Sequence, residues 1–257
     1  MTNVLVCIKR VPASSGQILL SEDAQSVDAR HVGFTVSAHE EAAVELATQV
    51  AGATGGAATV LTVGTEDAVE QLRDALAVGC SDAVLVEAPL ERYGPADVAA
   101  VIADVVRSRE AAGHAYGLVL LGNDAADTGD FQVPVRLAYE LGRPVVTGIS
   151  TCEVTGDVAE ASGDGPDGPE TYRLPLPAVV AVMEGGVTPR YPSVMGRMKA
   201  KKIAIETVHS DREPVGSGRQ RLALPPEQPS EVKILGHGPE AAPAVVDLME
   251  ELGVVSR

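Results

Sequence analysis

The chain has 257 residues, of which 45% are hydrophobic and 3% aromatic, and its formal net charge is −16. This length suits one main domain with appendages, and the apolar content excludes general disorder. The acidic balance argues against a nucleic-acid partner, which would need a basic footprint.

Targeting and redox features are scarce. The three cysteines form no C-x-x-C pair, so the sequence predicts neither a disulfide framework nor a zinc site. No apolar run is long enough to cross a bilayer, so we expect no direct membrane insertion. These features together predict a cytoplasmic protein.

Strands and helices alternate through the first half of the chain. Predicted strands cover Val4–Ile8, 57–63, 83–86 and 116–121, and predicted helices begin after Ser37, at Glu66 and at Pro95. This order with short connections predicts an α/β fold around a mainly parallel sheet. Ligands of such sheets bind beyond the carboxyl ends of the strands.

The second half of the chain is less regular. We predict an exposed acidic loop at 156–168, within a hairpin of strands at 149–154 and 170–173, and then an apolar strand at 174–182. A linker rich in Pro and Gly and an amphipathic helix at 239–252 should follow. We therefore divide the chain into a nucleotide-binding domain, 1–209, and a C-terminal arm, 210–257.

One loop has the composition of a phosphate site. The segment 122–133 contains glycine and small residues, follows a predicted strand and precedes a helix. Backbone N–H groups in such a place can bind phosphate, although an ordinary capped turn would have the same composition. The G-x-G-x-x-G match at 163–168 is rejected, because it contains a proline and two aspartates and no helix follows it.

No catalytic constellation is evident. The five histidines are scattered without the spacing of metal ligands, and no nucleophile–base motif is present. We therefore expect no metal and no catalytic residue, and we expect that the chain is not an enzyme by itself.

Four segments, in order, resemble the β subunit of electron transfer flavoproteins. They are Val4-Leu-Val-Cys-Ile-Lys-Arg-Val-Pro12, then Glu40-Glu-Ala-Ala-Val-Glu-Leu-Ala47, then Gly64 through Leu72-Arg-Asp-Ala-Leu-Ala-Val-Gly79, and last Leu174–Val180 with Pro189-Arg-Tyr191 and Met198-Lys-Ala-Lys-Lys202. The last segment is the most specific, because it combines a strand, a turn and a basic stretch. The resemblance covers roughly residues 2–207.

The resemblance implies a Rossmann-like fold of the adenine-nucleotide α-hydrolase type and a heterodimer with an α subunit. The two subunits would share an FAD, and this chain would bind AMP, or a second FAD as in electron-bifurcating members. Electrons would pass from a flavin-dependent dehydrogenase to a quinone oxidoreductase or another acceptor. The arm would pack on the α subunit.

The resemblance also assigns candidate residues. Those that would contact the nucleotide are Cys7, Ser37, Gly64, Asn123, Asp127, Thr128, Gly129, Asp130, Phe131, Gln132 and Val133. Ser14 and His39 would lie near the flavin, where the family often has aromatics. Gln132-Val-Pro134 replaces the family's Gln-Thr-Gly and so removes a threonine hydroxyl that commonly binds phosphate. The hydroxyl of Thr128 is the candidate to replace it, as in the Asp-Thr loops of electron-bifurcating members.

The resemblance also implies a partner-recognition loop at 187–198. Val194, with Met195 and Arg197 beside it, would bind the dehydrogenase; the alternative is an ordinary solvated surface. Rival interpretations of the whole chain are a stand-alone adenine-nucleotide protein of the universal-stress type and a nucleotide-dependent transferase or ligase. Proteins of the universal-stress type lack the Pro-Arg-Tyr and Lys-Ala-Lys-Lys segment that this chain has. A transferase or ligase would need a glycine-rich ATP-binding loop after the first strand, and Lys9-Arg-Val-Pro12 is not such a loop.

Overall fold

A computed structural model of the chain describes residues 1–13, 18–28, 30, 32–226 and 232–255. Contacts divide the chain into two units, Met1–Leu222 and Ala223–Arg257.

The first unit is built on a sheet that has nine strands in the described residues. Its spatial order is β11-β5-β4-β1-β6-β10-β7-β8-β9, and every pair from β11 to β7 is parallel. Strands β2 and β3 form a separate short antiparallel pair. The bounds are β1 Val4–Ile8, β2 Val11–Pro12, β3 Phe34–Thr35, β4 Ala58–Gly64, β5 Asp82–Glu87, β6 Leu118–Gly122, β7 Val145–Thr155, β8 Val158–Gly165, β9 Gly168–Pro175, β10 Ala178–Val182 and β11 Ile205–His209.

Helices cover both faces of the parallel part, which confirms the predicted fold class. Alternate residues of β1 face opposite layers, as the period of a strand requires. Val4, Val6 and Ile8 pack in the core that contains α1 and α2, whereas Leu5 and Cys7 pack in the core that contains α3 and α4. The bounds are α1 Ala38–Thr54, α2 Val69–Val78, α3 Pro95–Ala111, α4 Val133–Leu141 and α5 Val194–Ala200.

The start of α1 follows from local chemistry. Ser37 has an extended backbone, its hydroxyl accepts from the Glu40 N–H, and the Glu40 carboxylate accepts from the Ser37 N–H at 2.8 Å. This reciprocal cap satisfies two of the N–H groups that a helix start leaves unpaired. The predicted start at Ser37 is confirmed, and the helix ends at Gly55, whose φ of +70° favours glycine.

The exposed loop predicted at 156–168 is wrong. Residues Val158–Gly165 form β8, which pairs antiparallel with β7 and β9. Ala159 and Ala161 are buried on one face while Glu160 is exposed, so the strand alternates despite its acidic, glycine-rich composition. The rejected G-x-G-x-x-G segment lies at the turn from β8 to β9, and the 174–182 run is split between β9 and β10 by a cis peptide at Leu176-Pro177.

Residues after β11 remain tied to the first unit as far as Leu222. The buried Asp97 carboxylate at the start of α3 accepts from the N–H groups of Gly94, Val215 and Gly216, each at 2.8 Å. Gly94 is also required, since a Cβ there would lie 2.4 Å from the Gly216 carbonyl oxygen. The segment that the sequence assigns to the start of the arm is therefore held against α3.

The second unit contains α6, Ala242–Glu251, close to the predicted helix at 239–252. Its apolar residues Val245, Val246, Met249 and Leu252 are exposed. Among the residues that the structure describes, no helix combines the length and apolar character that a membrane span requires.

Candidate nucleotide site at the carboxyl edge of the sheet

The order of the strands reverses at β1. The chain runs outward from β1 to β4 and β5, and then returns to place β6 on the other side of β1. In open α/β sheets, ligands bind at the carboxyl ends of the strands where the order reverses in this way. We therefore expect a ligand to contact the residues that follow Ile8, Gly64, Gly122 and Val182.

The loop after β6 is a compact turn. Ala125 and Asp130 face each other in an isolated bridge, and the Ala125 carbonyl accepts from the N–H groups of Thr128 at 3.1 Å and Gly129 at 2.7 Å. Gly129 has φ +62°, a backbone conformation that favours glycine. The amides of Thr128 and Gly129 thus close the turn itself, and their contact with a nucleotide stays a prediction.

Asn123 connects this loop to the neighbouring strands. It is buried, its N–H donates to the Val182 carbonyl at 2.9 Å, and its side-chain oxygen accepts from the Gly148 N–H at 2.7 Å. Asn123 therefore ties the end of β6 to β10 through its backbone N–H and to β7 through its side-chain oxygen.

Helix α4 begins where the loop ends and offers free amides. Gln132 precedes it without a side-chain cap, and its side-chain oxygen accepts from Arg136 at 2.7 and 2.9 Å. Val133 and Val135 stand in the first turn, where N–H groups have no partner within the helix. Together with the helix dipole, such amides suit an anion, while the half-exposed Phe131 adds an apolar surface beside them.

Two cations follow β1. Lys9 forms an ion pair with Asp127 at 2.5 Å, and the Arg10 guanidinium lies 3.5 Å from the centre of the Phe34 ring. The resemblance assigns Asp127 to the nucleotide site. In the structure Asp127 pairs with Lys9, whose positive charge suits a phosphate.

Cys7, Gly64 and Ser37 are all buried. Burial raises the pKa of the Cys7 thiol to about 12, so this sulfur stays protonated and unreactive at neutral pH. A Cβ on Gly64 would make only ordinary contacts with Ala68 and Leu90. The Ser37 hydroxyl is engaged with Glu40.

The Glu40 carboxyl is a buried acid at this edge. Burial raises its pKa above the usual value, although hydrogen bonds from Ser37 and the charge of Lys9 oppose the shift. Gly122 lets the first turn of α1 come close to the end of β6. A Cβ on Gly122 would lie 3.1 Å from Glu40 Cγ and 3.3 Å from His39 Cβ. The first turn of α1 therefore packs directly on the end of β6.

His39 lies between two carboxylates. Its Nε2 atom is 2.6 Å from Glu184 Oε2, and its Nδ1 atom is 3.2 Å from Asp124 Oδ1. The buried Nδ1 atom makes no hydrogen bond of good geometry. Ser14, the other residue predicted near a flavin, lies outside the described residues.

Three buried polar atoms of the described residues lack a hydrogen-bond partner: Arg10 Nε, His39 Nδ1 and Gln71 Oε1. Arg10 follows the carboxyl end of β1, His39 lies against the end of β6, and Gln71 is in the first turn of α2, which follows β4. Buried polar groups normally have partners, so three orphans along one edge of the sheet fit a polar ligand there. Within the described part of the chain, no group of acids, histidines and cysteines has the arrangement of a metal site.

Comparison with known proteins finds relatives along most of the chain. A family model described as "Electron transfer flavoprotein domain" matches residues 26–213. The chain is 33% identical to the electron transfer flavoprotein subunit beta of Bacillus subtilis, over 96% of this chain and 97% of the relative. It is 32% identical to the protein of the same name from Syntrophomonas wolfei, over 90% and 89%, and 33% identical to that from Mycobacterium leprae, over 80% and 78%.

The chain belongs to the electron transfer flavoprotein family, as a β-subunit member. It is accordingly an electron-transfer protein, and its family associates with flavin. The resemblance read from four sequence segments is confirmed.

The segment predicted to bind a dehydrogenase carries exposed apolar side chains. Val194 and Met195 are 77% and 69% exposed at the start of α5. Arg197 forms an ion pair with Asp74 of α2 at 3.3 Å, so its charge is partly used within the chain. Arg190 donates to both oxygens of the buried Glu45 at 2.8 Å, which holds the preceding turn on α1.

Several residues at the carboxyl edge were not assigned by sequence. Lys9 and Arg10 belong to the segment that carried the resemblance, and two cations after a strand in a chain of net charge −16 are the signal that identifies them. Asp124 and Glu184 gave no such signal, because only the fold brings them to His39.

Proposed function

We propose that this electron transfer flavoprotein β subunit binds AMP at the carboxyl edge of its sheet and, with an α subunit, holds an FAD that relays electrons. The observation that carries the nucleotide assignment is the set of orphaned polar atoms on Arg10, His39 and Gln71, each in a segment that follows a strand at the carboxyl edge of the sheet or packs against it. When bound, FAD accepts electrons from one partner and donates them to another. The chain itself then turns over no substrate.

Each element at the edge has a role in this proposal. The uncapped first turn of α4 faces phosphate with the N–H groups of Val133 and Val135, and Lys9 supplies a positive charge. Phe131 supplies an apolar surface beside them. The closed turn at Thr128 and Gly129 fixes the distance between β6 and α4, so the amides of α4 start at a defined place.

The α subunit is the proposed partner of the second unit. The exposed apolar residues Val245, Val246 and Met249 of α6, with Leu252 directly after it, form a surface that another chain can cover. We also place the heterodimer in the cytoplasm, since Cys7, Cys80 and Cys152 are all buried and unpaired, as is usual in a reducing compartment.

The bound nucleotide is the direct test. Co-expression with the α subunit, release of nucleotides by heat and chromatographic separation should give one FAD for each AMP. Two FAD molecules and no AMP would instead assign the electron-bifurcating type, for which the replacement of Gln-Thr-Gly by Gln132-Val-Pro134 is the motivating observation. A colourless monomer that binds ATP would contradict both assignments and favour the stand-alone nucleotide protein.

The exposed Val194 is the proposed contact for a flavin-dependent dehydrogenase. An aliphatic side chain that is 77% exposed and carried on a held segment can fill a pocket on another protein. We expect Val194→Asp to slow reduction of the heterodimer by its dehydrogenase about ten-fold or more, because hot-spot contacts exceed about 1–2 kcal/mol. Flavin content should stay the same.

A matched control is Val215→Asp, which introduces the same charge at a valine that is 87% exposed elsewhere in the first unit. Stopped-flow reduction of the flavin compares the two variants. Equal rates for Val194→Asp, Val215→Asp and the unmodified protein would reject the anchor. The final acceptor, a quinone oxidoreductase or another protein, is then sought by reoxidation of the same preparations.

A further inference from the structure

The loop after β6 carries carboxylates that engage both features proposed to hold a phosphate. Asp127 pairs with Lys9 at 2.5 Å. Asp130 accepts at 3.1 Å from the N–H group of Gln132, the residue directly before α4. The cation and the helix start therefore each have an anionic neighbour that belongs to the chain itself.

The positive charge of Lys9 is shared. The Lys9 and Asp127 side chains are 32% and 25% exposed, so their pair is only partly shielded from solvent. The charge of Lys9 also acts on the buried carboxyl of Glu40. A phosphate beside Lys9 would have to share its positive charge with both carboxylates.

Further carboxylates lie at the same edge of the sheet. Asp124 of this loop and Glu184 after β10 both contact His39, at 3.2 and 2.6 Å. Arg10 is held differently, because its guanidinium lies 3.5 Å from the centre of the Phe34 ring and its Nε atom lacks a hydrogen-bond partner among the described residues. In a chain of net charge −16, such an edge repels additional negative charge.

We propose that Asp127 is a specificity-determining residue that limits the phosphate charge of the ligand, so that the site takes adenosine monophosphate and not a di- or triphosphate. This inference rests on the proposed function. One phosphate group has the amides of Val133 and Val135 and a share of Lys9. Each further phosphate group adds negative charge beside Asp127, while the positive charge of Lys9 stays the same. Neutralising Asp127 would release the charge of Lys9 and remove one repulsion.

Retention from a mixture tests this selectivity. The purified heterodimer is equilibrated with equal concentrations of adenosine, AMP, ADP and ATP, freed of unbound compounds by gel filtration, and its bound compounds are separated by chromatography. The unmodified protein should retain AMP in clear excess over ADP and ATP. Asp127→Asn should lower the ratio of AMP to ADP by about two- to five-fold, the effect expected of one partly exposed charge pair. Adenosine has no phosphate, so both proteins should retain it equally.

Two further variants separate charge from shape. Asp127→Glu keeps the negative charge and should keep the ratio of AMP to ADP close to that of the unmodified protein. Asp104→Asn is the matched control, because Asp104 also pairs with a cation, Arg212 at 2.9 Å, on a helix outside the proposed site. It should leave the ratio unchanged.

The dependence on salt is the second readout. In about 0.5 M NaCl, the difference between Asp127→Asn and the unmodified protein should shrink, because salt screens partly exposed charges. A ratio set by the space available for a second phosphate would not respond to salt in this way, and a difference that persists at high salt would count against the charge limit.

The outcomes distinguish this inference from the proposed function. An unchanged ratio of AMP to ADP in Asp127→Asn, or an equal loss of adenosine and AMP, would overturn the charge limit while the unmodified protein still binds the nucleotide. Equal retention of ATP and AMP by the unmodified protein would overturn it as well. A heterodimer that retains none of the four compounds would reject the proposed function and the charge limit together.

Discussion

Asp97 is the residue on which the path of the chain after β11 depends most. Its carboxylate is buried and accepts three backbone N–H groups, one from its own helix start and two from Val215 and Gly216. Burial raises the pKa of this carboxyl, but the three N–H groups outweigh that effect, and its net pKa lies below the ordinary value. The charged form is therefore the one that the fold stabilises.

We expect Asp97→Asn to lower the free energy of unfolding by about 1–3 kcal/mol, because an amide leaves at least one of these N–H groups poorly paired. Urea denaturation at neutral pH measures this change in the free energy of unfolding. Asp104→Asn is the matched control on the same helix; Asp104 pairs with Arg212 at an exposed position, so its loss should cost at most about 1 kcal/mol.

The same contact has a defined pH dependence. Since the pKa of Asp97 is lowered in the folded protein, its stabilisation is present at neutral pH and is lost as pH falls through that lowered value. The difference between the unmodified protein and Asp97→Asn should therefore narrow in acid, below about pH 4. A difference that stays constant with pH would show that shape, and not charge, holds the segment.

At the scale of elements, the packing of α5 on α2 depends on a glycine. A Cβ on Gly196 would lie 2.3 Å from the Ala77 carbonyl oxygen, which is backbone and cannot move aside easily. We expect Gly196→Ala to displace α5 and to destabilise the protein by about 1–3 kcal/mol. Because α5 carries Val194, reduction by the dehydrogenase should slow as well.

Gly52→Ala is the opposite case and serves as the control. Gly52 lies inside α1, and a Cβ there would meet nothing within 4 Å. Alanine is the better helix former, so this variant should be more stable by about 0.5–1 kcal/mol. Thermal melting measures the stability of both variants relative to the unmodified protein. A destabilised Gly52→Ala together with an unaffected Gly196→Ala would contradict this account of the two helices.

The elements also differ in how far local sequence predicts them. Val4–Ile8 and the capped start of α1 are strong local patterns, and both are confirmed. Val158–Gly165 was predicted as a loop because glycine and acids dominate it, yet β7 and β9 supply hydrogen bonds on both edges. Tertiary pairing overrides weak local preference in this way. Ile205–His209, for which we made no prediction, forms an edge strand that pairs with β5.

At the scale of the whole molecule, the boundary between Leu222 and Ala223 gives a testable division. A chain ending at Leu222 keeps the sheet and the Asp97 contacts, so we expect its melting temperature to change by only a few degrees, about what 1 kcal/mol produces in a chain of this size. Its affinity for the α subunit should fall strongly, because the apolar face of α6 is removed. Co-purification with the α subunit measures this loss.

A chain ending at residue 209 is the informative comparison. It also loses Val215 and Gly216, which leaves the buried Asp97 carboxylate with a single backbone donor, so it should be clearly less stable than the chain ending at Leu222. Equal stability of the two truncated chains would place the structural boundary at residue 209, where the sequence placed it. Loss of folding in both would show that the second unit is needed for the first.

The sequence by itself determined the α/β class, the cap at Ser37 and the family, because these depend on short-range periodicity and on residues adjacent in the chain. Tertiary structure alone decided which side chains meet at the carboxyl edge. His39 lies beside Asp124 and Glu184, and Lys9 beside Asp127, because parallel strands bring distant segments to one edge. Electrostatic partners act over a few ångströms in space, and separation along the chain carries no information about that distance.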